Sequence, residues 1–354
     1  MRDQGSGIRR QALRILAGTA VAVLALALTP RAQPAAGATD RVWFCPSPGS
    51  IDYLDLFTHP DEWPRARQLI DVFKFYQQHT QAPAPAIVGS NSYDALVRAG
   101  AFRMLAGWKK KIAIEAGSVK PFYCTPDASG MQESIANSLA SIRAIQSAGG
   151  SVDYIAQDEP FVSGRERVCG GPALEPTADR VATYVAGVKA AFPKVAIGLI
   201  EAYPFSSADQ IEAQVSLLQA RGATPAFLHM DVDWHLSGAD AFVRDMARLQ
   251  AYAAAQHIPF GIIVTGYNGN ADPLYAVDAY GITELIARTF QTWSRMPDQL
   301  IVQSWAATNT GLVLTPANLD EQRLFSHTLL LREVYRRLRG ANGPSTGVAV
   351  PRTR

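Results

Sequence analysis

The sequence predicts a closed (β/α)8 TIM barrel, a single-domain α/β fold of eight parallel strands, each followed by a helix. Eight apolar runs, rich in Val, Ile, Phe and Tyr, alternate with amphipathic helical stretches between Arg41 and Arg339. Eight such units in roughly 300 residues match the usual size of this barrel. No predicted strand is followed by GxGxxG or GxxxxGK(S/T), which disfavours the alternative of a doubly wound open sheet.

Each strand is assigned to an apolar run bounded by turn-forming residues. The second strand has an alternative, because Ala86-Ile87-Val88 is also an apolar run. In chain order the predicted strands are 41–46, 70–76, 111–116, 152–158, 195–201, 226–233, 260–265 and 300–305.

Helices fill the intervals between the strands, and several follow residues that are typical helix N-caps. Ser92, Thr177, Ser206 and Asn318 precede the predicted helices 93–109, 178–192, 207–221 and 319–339. The other helices are predicted near 60–68, 132–148, 239–256 and 278–295. The barrel domain therefore extends over 39–340, and residues 341–354, with Gly, Pro, Ser and Thr, are expected to form a flexible tail.

The first 38 residues have the three-part layout of a secretory signal peptide. Four arginines precede the apolar run Ile15–Leu28, and the segment ends in Ala36-Gly37-Ala38. A 14-residue run is short for a membrane span, so we expect export without stable membrane insertion after cleavage. Arg9-Arg10 matches the twin-arginine export motif only in part, which leaves the export route open.

The charge of the chain argues against nucleic acid as a partner. The full sequence has a formal net charge of +2 and no run of like charges, whereas nucleic-acid binders carry dense basic patches. Loss of residues 1–38 removes five Arg and one Asp and leaves a formal charge of −2. We predict a monomeric protein that requires no cofactor.

Polar side chains stand at or just beyond the carboxyl ends of most predicted strands. Because the carboxyl ends of barrel strands meet on one rim, where barrel enzymes place their active sites, these side chains should converge there. Strand periodicity predicts that His229, Asp231 and Asp233 share one face, and that Gln157 and Glu159 share another. The candidate substrate-binding residues are Lys74, Glu115, Gln157, Tyr203, Asp233, Tyr267, Asn268 and Trp305.

The tetrapeptide Gln157-Asp158-Glu159-Pro160 follows the fourth predicted strand. A Glu in a partly desolvated rim has a raised pKa and can protonate a departing glycosidic oxygen near neutral pH. Pro160 stiffens the turn directly after this acid. The position and chemistry of Glu159 predict a general acid.

In its barrel architecture and in this tetrapeptide the chain resembles the barrel glycoside hydrolases that carry their acid Glu after the fourth strand. The resemblance implies an enzyme that cleaves glycosidic bonds in oligo- or polysaccharides, and the signal-like segment 1–38 adds that it is exported. Members that use two Glu have Asn before the acid and a nucleophilic Glu after the seventh strand, whereas this chain has Asp158 and Thr265-Gly266-Tyr267-Asn268. An Asp-Glu pair is similar to that of hexosaminidases with substrate-assisted catalysis, in which Asp158 would orient an acetamido group and Tyr267 would help to hold it.

A second catalytic carboxylate from another strand is the alternative. Glu201 ends the fifth predicted strand, and Asp231 or Asp233 ends the sixth. A separation of about 5–5.5 Å from Glu159 would imply retention, and one of about 6.5–9.5 Å would imply inversion. The catalytic candidates are therefore Glu159, Asp158, Glu201 and Asp231.

Two other classes of function remain open at the sequence level. Aromatic residues near strand ends, with Trp305 as the best sugar platform, would also suit a carbohydrate-binding barrel without catalytic activity. His229-x-Asp231-x-Asp233 would suit a metal-dependent hydrolase, although we predict no metal site. The chain has no GxSxG motif, which disfavours a serine hydrolase of the α/β type.

The three cysteines of an exported chain permit at most one internal disulfide. Cys124 follows the third predicted strand and Cys169 follows the fourth, so both belong to neighbouring loops on one rim. Cys45 lies inside the first strand and suits a buried apolar position. We therefore predict a bridge between Cys124 and Cys169.

Overall fold

Eight parallel strands form a closed barrel in which each strand pairs with the next and the eighth pairs with the first. The computed structural model describes residues 41–266, 275–292, 296–305 and 317–339. The strands are β1 (Val42–Cys45), β2 (Val72–Tyr76), β3 (Lys111–Ala116), β4 (Val152–Asp158), β5 (Ala196–Tyr203), β6 (Leu228–Val232), β7 (Phe260–Val264) and β8 (Gln299–Gln303). The predicted fold class is confirmed.

Helices surround the barrel between successive strands. They are α1 (Asp55–Thr58), α2 (Pro64–Leu69), α3 (Tyr93–Arg98), α4 (Ala101–Gly107), α5 (Ser129–Ser147), α6 (Pro160–Gly164), α7 (Leu174–Ala191), α8 (Ala208–Ala220), α9 (Trp234–Ser237), α10 (Ala239–Ala255), α11 (Tyr275–Thr292) and α12 (His327–Arg339). The alternative second strand, Ala86–Val88, is a 3₁₀ turn. None of the described helices is both long and apolar enough to cross a membrane.

Several predicted helix bounds are wrong for identifiable reasons. The predicted helix 93–109 is two helices, because Gly100 between them adopts φ +72°, a left-handed conformation that glycine tolerates. The last helix begins at His327 and not at 319. Asn318 does not cap it, since its amide donates to Asp52 Oδ1 at 2.9 Å and joins the loops after β8 and β1. Ser207 caps α8 in place of Ser206.

The interior of the barrel is filled by aromatic rings toward the amino ends of the strands. The ring of Trp43 in β1 lies 4.9 Å from that of Tyr154 in β4 and 5.1 Å from that of Phe227, next to β6. His229 packs edge-on against Trp43 at 4.9 Å. These rings fill the barrel interior near the amino ends of the strands, and polar side chains occupy the interior at the carboxyl ends.

A disulfide joins Cys124 to Cys169, as predicted, with a Cα–Cα distance of 4.9 Å. It connects the loop after β3 to the loop after β4, and the second loop directly follows Glu159 and α6. Cys45 is free and buried in β1. The bridge therefore restrains two neighbouring loops on the carboxyl rim of the barrel.

We expect a variant with both Cys124→Ser and Cys169→Ser to lose about 2–4 kcal/mol of unfolding free energy, because the bridge spans 45 residues of chain. Urea unfolding of the oxidised proteins measures this difference. A reductant should destabilise the wild type and leave the double variant unchanged. Identical unfolding curves for the two oxidised proteins would contradict the prediction.

Candidate active site

A cavity of about 360 Å³ opens at the carboxyl ends of the strands. Its wall combines carboxyl groups at or just beyond the ends of three strands with aromatic rings from strand ends and from the loops that follow. The lining residues are Glu115, Asp158, Glu159, Asp231, Asp233, Tyr76, Tyr203, Phe205, Trp305, Pro48, Gln78, Ile87, Ala202 and Gln303. The structure thus brings Glu159, Asp158, Asp231, Glu115, Tyr203, Asp233 and Trp305 of the predicted site into one cavity.

Glu159 enters the cavity because of an unusual backbone conformation. Its φ is +46°, in the left-handed region that a residue with a side chain rarely adopts. Its N–H donates to the carbonyl oxygen of Ile200 at 3.1 Å, and its own carbonyl accepts from Ser163 N–H at 3.1 Å in α6. The carboxyl group therefore projects from a turn that is held between β5 and α6.

This turn also breaks the alternation that the sequence predicts for β4. Gln157 and Glu159 were expected to share a face, but Asp158 and Glu159 line the cavity together. Gln157 is buried, and its amide nitrogen lies 3.5 Å from the carbonyl oxygen of Gly198. The positive φ of Glu159 is the physical reason, since period-two alternation holds only while the backbone stays extended.

Glu159 and Asp231 have strongly perturbed acidities. Burial, followed by the negative charges of Asp231 and Asp158, raises the pKa of Glu159 to about 9. Burial, followed by the charges of Glu115 and Asp158, raises the pKa of Asp231 to about 7. The Oδ1 atom of Asp231 is buried and has no hydrogen-bond partner among the described residues. Near neutral pH, Glu159 therefore holds a proton, and Asp231, which lines the same cavity, is close to the midpoint of its ionisation.

Asp158 is paired with a cation that sequence reasoning missed. The Nζ atom of Lys120, in the loop after β3, lies 2.6 Å from Asp158 Oδ2. A Cβ atom on Gly117 would lie 2.9 Å from Lys120 Cγ, so the absence of a side chain at 117 leaves room for the lysine stem. The pair joins the loop after β3 to the last residue of β4, and sequence order contains no signal for such a contact.

A buried polar network lies beneath the cavity. Lys74 is fully buried, and its amino group donates to Glu115 and to the side-chain oxygen of Gln303. The Gln303 amide nitrogen donates to the Tyr76 hydroxyl and to Glu115 Oε2, both at 3.1 Å. Lys74 therefore supports the cavity floor and does not line the cavity. Sequence reasoning missed Tyr76 and Gln303, although two-residue spacing from Lys74 and Trp305 would have found them.

We expect Lys74→Met to cost about 3–5 kcal/mol of unfolding free energy, because it leaves the Glu115 carboxylate buried without its cation. A double variant with Lys74→Met and Glu115→Gln should recover part of this loss. Urea unfolding of both single variants and the double variant measures the coupling. A simple sum of the two single effects would contradict the proposed pairing.

Glu201 lies on the other face of the barrel wall. It is fully buried in β5, and its Oε1 accepts a hydrogen bond from Phe161 N–H at 3.1 Å. Its neighbour Ala202 lines the cavity, and successive strand residues point to opposite faces. Burial raises the pKa of Glu201 to about 8. Its carboxyl group thus contacts the first turn of α6, directly behind Glu159.

The other predicted residues have partners of their own or lie outside the described residues. Asp233 Oδ1 caps α9 by accepting from His235 N–H at 3.0 Å and Leu236 N–H at 3.1 Å. The Tyr203 hydroxyl donates to Asp245 Oδ2 at 2.5 Å. Tyr267 and Asn268 lie outside the part of the chain that the structure describes.

The geometry around His229 does not match the alternative of a metal-dependent hydrolase. His229 is buried among aromatic rings, and its Nε2 lies 2.8 Å from Gln299 Oε1. Burial lowers the pKa of His229 to about 3. Within residues 41–266, 275–292, 296–305 and 317–339, no three His, Cys, Asp or Glu side chains are grouped so that they could hold a metal ion.

Comparison with known proteins supports the fold. No protein-family model matches the chain, and no curated protein matches its sequence. It is similar to the solved structure of xylanase XynB from Paenibacillus barcinonensis complexed with a conduramine derivative, with a TM-score of 0.51, 11% identity, and coverage of 88% of this chain and 100% of that chain. It is also similar to a psychrophilic glycoside hydrolase family 10 endo-β-1,4-xylanase, with a TM-score of 0.50, 10% identity, and coverage of 86% and 97%. At identities this low, the similarity shows a shared barrel fold and not a shared activity.

Proposed function

We propose that this protein is an exported glycoside hydrolase that cleaves oligo- or polysaccharides, with Glu159 as the general acid and Asp231 as the second carboxylate. The observation that carries the proposal is that these two groups line one cavity and both have raised pKa values. Pairs of carboxyl groups with different acidities in one cleft are the usual machinery of glycosidases. The predicted signal segment 1–38 and the disulfide are consistent with export.

Glu159 would donate its proton to the departing glycosidic oxygen. Its pKa of about 9 keeps the carboxyl group protonated at neutral pH, and proton donation avoids the formation of an unstabilised alkoxide. Phe205 and Trp305 line the same cavity and are 48% and 40% exposed, so their rings are available to the apolar faces of sugars. The sugar is thereby held next to the acid.

Asp231 would act on the anomeric carbon, either as nucleophile or as the base that activates water. Its Oδ1 atom has no partner to release first, which suits both roles. The anomeric configuration of the first product, followed by ¹H NMR, distinguishes them: retention assigns the nucleophile and inversion assigns the base. Glu201 is better suited to positioning, because it contacts the backbone of α6 and lies on the opposite face of β5.

Asp158 would orient the substrate rather than donate a proton. Its carboxylate is paired with Lys120 and can accept hydrogen bonds from sugar hydroxyl or acetamido groups. In a substrate-assisted mechanism Asp158 would be essential and Asp231 dispensable. Activity of Asp158→Asn and Asp231→Asn on matched substrates with and without N-acetyl groups separates the two mechanisms.

The proposed function is tested by screening the mature protein against soluble xylan, mixed-linkage β-glucan, pectin, and chitin oligosaccharides while reducing ends are counted. Release of new reducing ends by the wild type, but not by a variant that lacks the Glu159 carboxyl group, supports a hydrolase. Binding in affinity electrophoresis without release supports a carbohydrate-binding barrel. Activity that disappears with EDTA and returns with a divalent cation would instead support metal-dependent hydrolysis.

A further inference from the structure

A second cavity, of about 430 Å³, adjoins the one that holds Glu159. The two cavities meet at shared lining residues from β2, β3, β4 and the segment after β2, namely Tyr76, Gln78, Ile87, Glu115 and Asp158. Glu159, Asp231 and Trp305 line the first cavity, whereas Gln81, Lys120 and Phe122 line the second. The cleft therefore continues past Asp158, away from Trp305.

An exposed aromatic ring forms one part of the second cavity. Phe122 is 70% exposed, and its ring packs edge-on against Tyr123 with centroids 4.5 Å apart. The Tyr123 hydroxyl accepts from the Asn137 side chain at 2.8 Å, which anchors the pair to α5. A large ring that is held in place but left open to solvent is suited to stacking against a ligand.

Free amides form another part of this cavity. Gln78 and Gln81 are half-buried, and their side-chain amides have no partner among the described residues. Each amide can both donate and accept, which matches the hydroxyl groups of a sugar. The amide of neighbouring Gln77 is different, because it donates to Ser138 Oγ at 3.2 Å.

The charged groups of the second cavity are already neutralised. Lys120 is paired with Asp158 at 2.6 Å, and Glu115 accepts from the buried Lys74 amino group. A negatively charged sugar would have to compete with Asp158 for Lys120, and a positively charged one would have to displace Lys74 from Glu115. The cavity is therefore suited to neutral sugars.

We propose that the second cavity binds further neutral sugar units of the chain that is cleaved beside Glu159, so that the enzyme cuts within polysaccharides. The inference rests on the proposed function and adds the path that the polysaccharide takes across the site. Sugar units on the two sides of the scissile bond occupy the two cavities, with Asp158 at their junction. Internal cleavage requires binding sites for sugar units on both sides of the scissile bond, and the two adjoining cavities provide them.

The experiment uses the Phe122→Ala and Gln81→Ala variants of the full protein, because both residues line the second cavity and neither lines the cavity that holds Glu159. Each is assayed on the polysaccharide that the wild type hydrolyses fastest and on a 4-methylumbelliferyl glycoside of the same sugar. We expect kcat/KM on the polysaccharide to fall about tenfold, the equivalent of about 1.4 kcal/mol, with less than about a twofold change on the short glycoside. Phe325→Ala is the matched control, because Phe325 is 41% exposed and is not a lining residue of either cavity.

A second measurement does not depend on turnover. Affinity electrophoresis of Glu159→Gln, with and without Phe122→Ala, measures binding to the same polysaccharide, and the added substitution should weaken it about tenfold. The inference would be overturned if the variants lost equal activity on long and short substrates, if they kept full activity on both, or if the wild type released only terminal sugars. In each of these cases the wild type still hydrolyses the polysaccharide, so the proposed function stands. Absence of hydrolysis by the wild type would overturn the proposed function and the inference together.

Discussion

Replacement of Glu159 by Gln should lower kcat by more than about a hundredfold, while sugar binding and folding remain close to those of the wild type. The amide has the shape of the carboxyl group but cannot donate the proton that Glu159 holds near neutral pH. Initial rates on the best polysaccharide, together with affinity electrophoresis and urea unfolding, measure the three quantities separately.

The matched control is Glu166→Gln, because Glu166 is an exposed acid on the same loop. It should retain wild-type activity, which excludes a general effect of charge removal near α6. The wild-type rate should also fall as the pH rises through about 9, since Glu159 then loses its proton. Near-normal turnover by Glu159→Gln would refute its role as the acid.

Asp231→Asn should also lower kcat by more than about a hundredfold, because in the proposed mechanism the ionised carboxylate acts at the anomeric carbon. The wild-type rate should rise through a pH of about 7 as Asp231 ionises, and this limb should be absent in the variant. Removal of the Asp231 charge should also lower the pKa of Glu159, so the alkaline limb moves to lower pH. Rates across pH 5–10 on the best polysaccharide, whose poor leaving group needs the proton of Glu159, measure both limbs.

Glu201→Gln is the control that distinguishes the two candidate carboxylates. Its amide oxygen can still accept from Phe161 N–H, so the turn that holds Glu159 stays in place and the loss should be much smaller than for Asp231→Asn. Rescue of Asp231→Ala by azide, with a glycosyl azide as product, would further support direct action at the anomeric carbon. A larger loss for Glu201→Gln than for Asp231→Asn would assign the second carboxylate to β5.

The barrel was predictable because its signals are local. Alternation of apolar runs with amphipathic stretches depends on residues close together in the chain. Local patterns alone separate Val72–Tyr76 only weakly from Ala86–Val88, because both are short apolar runs. The helix ends were less predictable. Asn is a typical N-cap residue, which is why Asn318 was predicted to begin the last helix. Its side chain instead donates a hydrogen bond to Asp52, which lies near the other end of the chain.

The candidate site was predictable for those residues that lie at the carboxyl ends of the strands. Asp231 and Trp305 lie where two-residue spacing on their strands puts them, and both line the cavity. Lys120 was missed because an ion pair between the loop after β3 and the end of β4 depends on how the two strands are placed side by side. No local pattern encodes that placement.

The sequence by itself determined the number and order of the strands, the tetrapeptide with its acid, and the pair of cysteines on neighbouring loops. The tertiary structure alone decided which side chains face one another. Glu159 turns into the cavity through a left-handed backbone that is held by Ile200, and Glu201 faces away from it. The physical reason is that side-chain direction within a strand is a local property, whereas a strained turn persists only where contacts from other strands stabilise it.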